Sequence, residues 1–405
     1  MSWPMVKLGD VLSIIRGVTF KPNDQVEPLS EGSTIVMRTK NVQRDGLDIS
    51  DLIAIPDSFI KRDEQYLRSE DMLISSANSW ELVGKISFIE KLPAKSTAGG
   101  FISIIRAKKE KVIPKYLYYW LTLEHTQVKI RNCGQKTTNI SNLNLERFKE
   151  LFIPLPSLND QRRIVAILDK AANIRQKREQ AIKLADDFLR TKFLDMFSNE
   201  KIKKYSIVKI DDLLAQDKNS IRTGPFGSQL LHSEFTESGI AVLGIDNAVK
   251  NEFQWGKPRF ISPNKYETLK RYTVLPGDVI ITIMGTCGRC AVVPDDIPVA
   301  INTKHLCCIS LNKDKCAPEF LHSYFLTHPL AKEYLAKHSK GAIMDGLNMG
   351  IIKHMSFPEI PLEQQYEFVN IKKKIKRFKS KLNSSKIDCE YNFATLCNDI
   401  FSMRG

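Results

Sequence analysis

Cysteine, histidine and the acidic residues could carry chemistry in this chain, and their spacing argues against catalysis. Cys287 and Cys290 form a Cys-x-x-Cys pair with Cys307, Cys308 and Cys316 downstream, a spacing able to hold zinc. Of the eight cysteines, seven lie at or beyond Cys287, which builds no disulfide framework and suits a reducing, cytoplasmic compartment. His232, His305, His322, His328, His338 and His354 fall close together along the chain, but none has a nucleophile or acid at a recognisable spacing. No glycine-rich loop ends in Lys and Ser or Thr, so no ATP motor is encoded, and no Asn-Pro-Pro-Tyr or Asp-Pro-Pro-Tyr methyltransferase motif occurs. Pro56-Asp57 and Pro294-Asp295 could each open a nuclease metal site, yet neither is followed nearby by the acid-x-Lys that would complete one. The expectation is a chain with no catalytic site and no metal.

Binding chemistry is better represented. Sixty Lys and Arg against 46 Asp and Glu give a net charge of +14, spread along the whole chain, which favours a polyanion because each neutralised phosphate releases counterions. Reading base edges needs Arg, Lys, Asn or Gln on elements that can enter a groove. The turn-rich polar segments offer Arg16, Lys21, Arg38, Lys40, Asn41, Asn78, Gln135 and Lys136 in the first part of the chain. Arg222, Gln229, Asn247, Arg289, Lys304 and Lys340 are their counterparts further on. Trp80 and Phe226 are aromatic candidates for core packing or for stacking on bases.

Two long segments must position these residues. After Pro154 and Pro156 a stripe recurs every three or four positions through Ile164, Ile167, Ala171, Ile174, Arg178, Ala181 and Ala185 to Phe188, apolar at every position but Arg178. After Pro358 and Pro361 a second stripe runs Phe368, Ile371, Ile375, Phe378, Leu382 and on to Met403. No Gly or Pro interrupts either run, so each reads as a helix of about 40 residues, roughly 60 Å of rod, with a coiled-coil seam. One chain can bury two such stripes by pairing them antiparallel. The predicted domains are therefore 1–156, a long helix at 157–200, a second domain at 201–357 and a second long helix at 358–405. No apolar run is long enough to span a bilayer.

The two globular blocks are repeats of one α+β unit at an offset near 204. Met5-Val6-Lys7-Leu8 matches Ile207-Val208-Lys209-Ile210, and Asp71-Met72-Leu73-Ile74 matches Asp278-Val279-Ile280-Ile281. Pro154, Leu158 and Gln161 fall opposite Pro358, Leu362 and Gln365. The repeat bears on zinc, because the segment LISSANSWELVGKISF has no cysteine where its partner ITIMGTCGRCAVV has two. A repeat that folds without metal argues that its sister does too, so buried or half-buried thiols are the expected state.

The order of globule and helix, the lead-in IPLPSLNDQRRIVAILD at 153–169 and its echo FPEIPLEQQYEFV at 357–369 resemble the specificity subunits of type I restriction-modification enzymes. RTGPFGSQLLHSEFTESGIAVLGIDN, at 222–247, is similar to one version of that family's target-recognition domain. The resemblance implies an α+β chain in which two target-recognition domains, each reading half of a bipartite site in double-stranded DNA, are separated by an antiparallel coiled coil. It implies two methyltransferase subunits docked on the coil and restriction-translocase subunits beyond them, with S-adenosylmethionine, ATP and magnesium held on those partners. In the second lead-in Tyr366 and Glu367 replace the Arg162 and Arg163 of the first. A stand-alone DNA-binding regulator and a degenerate nuclease are the alternatives.

Overall fold

The computed structural model describes residues 3–44, 46–136, 140–339 and 346–402; at positions 339, 384–394, 396–400 and 402 it describes the backbone alone. The chain forms two compact units, Met1–Glu179 with Ser384–Gly405, and Gln180–Asn383.

The first unit contains β1 (Met5–Lys7), β2 (Leu12–Arg16), β3 (Ser33–Met37), β4 (Met72–Ser75), β5 (Ile86–Phe88), β6 (Ser96–Ala98) and β7 (Ile102–Ala107). Helix α1 (Pro114–Thr122) and strand β8 (Phe152–Pro154) follow, and then the long helix α2 (Leu158–Met196). The organising sheet is antiparallel in the order β2-β7-β4-β5. Its central strands are buried on both faces, and alternation sorts their side chains. Met72, Ile74 and Ile105 join Tyr116, Leu117 and Trp120 of α1 in one core. Leu73, Ile102 and Ile104 face Ile35 and Met37 of β3 in another. Strand β3 pairs in parallel with β6, and β1 pairs with β8, Val6 opposite Ile153.

The second unit repeats this plan. Its strands include β9 (Ile207–Lys209), β10 (Ile221–Thr223), β11 (Ile240–Leu243), β12 (Val279–Thr282), β13 (Cys290–Val292), β14 (Ala300–Asn302) and β15 (Leu306–Ile309). They are followed by α3 (Pro318–Thr327), β16 (Ser356–Pro358) and the long helix α4 (Leu362–Ser402). The sheet order is β10-β15-β12-β13, β11 and β14 form the parallel pair, and Val208 of β9 lies opposite Phe357 of β16. Val279, Ile281 and Ile309 share a core with Phe320 and Tyr324 of α3, while Ile280, Leu306 and Cys308 face the opposite side with Leu243. Among the described residues no helix is long and apolar enough to cross a membrane.

The repeat extends to individual polar contacts. In the first unit the Gln161 side chain, wholly buried, accepts from the Ile113 N–H and donates to the carbonyls of Lys111 and Pro156. In the second, Gln365 accepts from Ala317 and donates to Lys315 and Ile360. Each glutamine staples its long helix to the turn that starts α1 or α3. Buried amides stay only where every strong group finds a partner, and here both do.

Along α2 the residues turned from solvent step by three and four through Gln161, Ile164, Leu168, Ala171, Arg175, Arg178, Ile182, Ala185, Leu189 and Phe193. Along α4 the matching series is Gln365, Phe368, Lys372, Ile375, Lys379 and Leu382. This corrects part of the expected seam. Ile164, Phe368, Ile375 and Leu382 lie on it and Ile371 is half-buried beside it, but Ile167, Ile174, Phe188 and Phe378 are exposed. At several turns two neighbouring residues both satisfied the spacing, and the register is set by anchoring at the ends. Leu168 is buried in the first unit's core, and Phe193, Phe197 and Phe368 in the second's. Within the second unit Phe193 and Phe368 pack with ring centroids 5.0 Å apart, and Asp186 pairs with Lys379 at 2.6 Å. In the first, Phe401 of α4 packs on Tyr116.

Candidate nucleic-acid interface

A groove of about 530 Å³ opens on the first unit between the end of β2 and the turn before β7. Its lining includes Arg16, Ser76, Phe101, Gln135 and Asn142. Residues 134–135 and 141–143 form a short antiparallel ribbon, with Gln135 opposite Asn142, and residues 77–78 add a third strand beside it. The ribbon projects Gln135 and Asn142 to solvent, and Arg16 is exposed at the last residue of β2. Arg, Gln and Asn are the side chains that form paired hydrogen bonds to base edges, so this groove has the means to read sequence. Close backbone approach shapes it: a Cβ on Gly17 would lie 2.1 Å from the Gly99 carbonyl oxygen, and one on Gly224 would lie 2.0 Å from that of Asn302 at the matching place in the second unit.

Around that groove the structure redistributes the candidates. Lys136 is exposed, its Nζ 5.8 Å from the centre of the half-buried Trp80 ring. Lys21 is exposed on a separate turn, its backbone N–H bonded to Asp24. Asn78 is half-buried, donating to the Ser75 hydroxyl and accepting from the Ser79 N–H. Asn41 is buried and drops out as a base reader: it accepts from the Arg38 N–H and donates to the carbonyls of Asp48 and Asp51. Asn247 is its counterpart and drops out for the same reason, accepting from Gly244 and donating to Gln254. Both asparagines lock a loop by satisfying its backbone. Arg38 and Lys40 pair with Asp51, leaving Lys40 exposed and Arg38 half-buried.

Arg222 is a further correction. It is buried, its guanidinium bonded to Asp278 at 2.6 Å and to the carbonyl of Thr273. The first unit builds the same clamp from another strand: Arg106 of β7 bonds Asp71 at 2.7 Å and the carbonyl of Tyr66. The carboxylate stays in place while its arginine comes from β10 in one repeat and β7 in the other. These clamps hold the sheet, and a buried charge so enclosed cannot turn outward without stranding its partner.

In the second unit Arg289 and Lys304 are exposed, and Gln229 accepts from Tyr272 at 2.8 Å on an exposed turn. Lys340 lies outside the described residues. Sequence reading missed a cavity of about 420 Å³ lined by Trp255, Lys257, Arg259 and Val299. Burial alone would raise the Asp246 carboxyl, but Arg259 and the backbone N–H of Lys257 hold it below its usual range. Sequence reading also passed over Phe101, exposed on a turn led by two glycines.

None of Cys287, Cys290, Cys307, Cys308 and Cys316 lines either cavity. Cys290, Cys307, Cys308 and Cys316 are buried, and burial pushes all four thiols up, Cys307 to about 12. Cys287 is half-buried. Among the described residues no cluster of His, Cys, Asp and Glu could hold a metal ion.

Comparison with known proteins now bears on this geometry. Residues 2–184 match the type I restriction modification DNA specificity domain. The MjaVIII type I restriction enzyme specificity subunit of Methanocaldococcus jannaschii is 24% identical over 378 residues, covering 90% of this chain and 83% of that protein. The EcoKI specificity subunit of Escherichia coli K12 is 24% identical over 311 residues, 71% of this chain and 64% of that one. The crystal structure of the S subunit of a type I restriction-modification system from M. genitalium has the same fold, with a TM-score of 0.58 at 14% identity, covering 99% of this chain and 96% of that one. The matched domain and relatives alike along most of the chain's length support a type I restriction-modification specificity subunit, a family with whose M. genitalium S subunit the chain shares its fold.

Proposed function

We propose that this chain is the non-catalytic DNA-reading subunit of a type I restriction-modification enzyme, working in the cytoplasm, in which each globular unit reads one half of a bipartite double-stranded site. The observation that carries the reading is the repeat: two units with one sheet order, one strand register and one glutamine staple, each differing in its surface turns. A common scaffold under unlike surfaces suits two unlike half-sites. In this reading α2 and α4 pair as an antiparallel coiled coil that sets the spacing. The contacts inside the second unit support it, since α2 advances from Asp186 to Phe193 as α4 retreats from Lys379 to Phe368. Ile167, Ile174, Leu184 and Phe188 leave apolar area exposed on α2, which suits docking of two methyltransferase subunits, with restriction-translocase subunits joining that assembly. S-adenosylmethionine, ATP and magnesium then act on those partners. Exchanging residues 1–150 for the corresponding block of a relative tests the reading. Sequencing the methylated motif should show one half changed and the other kept; a change at both halves or at neither would defeat it.

A further inference from the structure

We propose that Phe101 is a specificity-determining residue that reads the 5-methyl group of a thymine in the half-site bound by the first unit. The inference rests on the reading of the first unit's groove as a DNA-binding surface. Phe101 is 61% exposed and lies in the groove with Arg16, Gln135 and Asn142. Its backbone is fixed while its ring is free. The Phe101 carbonyl accepts from the N–H groups of Ser76 and Ala77, at 2.9 and 3.2 Å, and from the Ser76 hydroxyl at 3.1 Å. A ring on so firm a base loses little conformational freedom when it meets a ligand.

The second unit shows that this position is a scaffold feature with a changeable side chain. Ile102 lies opposite Ser75 in the first sheet and Leu306 opposite Thr282 in the second, so Phe101 and His305 hold equivalent places. One of the three hydrogen bonds to the Phe101 carbonyl is kept, since the Ile283 N–H donates to the His305 carbonyl at 2.9 Å as the Ser76 N–H does to Phe101. The side chain differs, an exposed apolar ring in one unit and a half-buried ring able to hydrogen-bond in the other. Constant backbone under a variable side chain is what a recognition position requires.

The chemistry of the surroundings selects the ligand. Arg, Gln and Asn beside Phe101 match the hydrogen-bonding edges of the major groove, where the one apolar group is the thymine methyl. The test uses the full chain assembled with its methyltransferase partners and duplexes carrying the mapped target, with each thymine replaced singly by uracil, which lacks that methyl. The wild type should lose about fourfold in affinity at one thymine of the first half-site, as expected for one buried methyl group. F101A should bind more weakly to the thymine duplex and no longer distinguish the uracil one. A wild type indifferent to every replacement, a first half-site without thymine, or an F101A that keeps the full preference would each overturn the proposal. R16A and Q135A separate the two levels. If either weakens binding while uracil is tolerated, the groove reads DNA and the thymine assignment is wrong; if both bind as the wild type does, the groove reading itself fails.

Discussion

Gln161 and Gln365 show how a residue noticed for its place in a motif can have its role elsewhere. Both stood out in the sequence as part of a helix lead-in, yet one of the two carbonyls each binds lies 50 positions upstream, a link that no local spacing reveals. Gln161→Leu removes a fully bonded amide and leaves the Ile113 N–H and two carbonyls without a partner. Loss of stability of about 1–3 kcal/mol is expected, measured by urea unfolding, with Gln365→Leu behaving alike. Lys372 makes a different prediction. Its Nζ donates to the Glu319 carbonyl, the Ser323 hydroxyl and His322 Nδ1, all neutral acceptors, and His322 Nε2 lies against the carbonyls of Asn251 and Cys290. Burial pushes Lys372 down from 10.5 to about 8, with Lys376 adding to the shift and Cys290, Glu319 and Glu252 opposing it. Burial likewise pushes His322 down, to about 3, with Lys372 and Lys376 acting in the same direction. Between the folded and unfolded values of Lys372 the unfolded chain binds more protons, so this lysine penalises the fold below about pH 8 and the penalty lifts as pH rises toward 10.5. The stability of Lys372→Met relative to the wild type should therefore fall from pH 8 to pH 10; a relative stability that rises would show that the lysine is not held in this state.

At the scale of the elements, the repeat, the long helices and the α+β class were legible, because apolar periodicity and recurring short strings survive in a single sequence. The register of the helices was not. Ile167 and Leu168 both fit a three-four pattern from Ile164, and only packing against the first core separates a buried Leu168 from an exposed Ile167. Charged residues blurred the pattern further. Arg175, Arg178, Lys372 and Lys379 occupy seam positions, where their aliphatic stems cover apolar surface while their heads reach polar partners or solvent. A pair of truncations checks the corrected register. Leu168→Ala should cost about 2–5 kcal/mol in unfolding experiments on the isolated chain, whereas Ile167→Ala should stay within about 0.5 kcal/mol. The candidate groove was legible in part for a related reason. Residue type pointed to Arg16 and Gln135, but type alone could not separate them from Asn41, Asn247 and Arg222, whose side chains are consumed by the fold itself.

For the whole molecule the long helices should act as a ruler. Half-sites read from one face of a duplex lie about one helical turn apart, roughly 34–36 Å between centres, so two readers need a separation that their own domains do not set. Helices α2 and α4, of 39 and 41 residues, are long enough to set it if they pair antiparallel as proposed. Their inward positions repeat every three and four residues, so removing seven residues from each preserves the seam while shortening the rod. Deleting Arg175–Ala181 from α2 together with Leu382–Asp388 from α4 takes away about 10 Å, at 1.5 Å per residue. At about 3.4 Å per base pair that is close to three base pairs of spacer. Sequencing the methylated sites of a strain that carries the shortened chain and its methyltransferase partners should recover both half-sites intact, with about three fewer unspecified bases between them. Assembly with the partners is checked by copurification. An unchanged gap in an assembled, methylating complex would mean that contacts other than the helices fix the distance between the two readers.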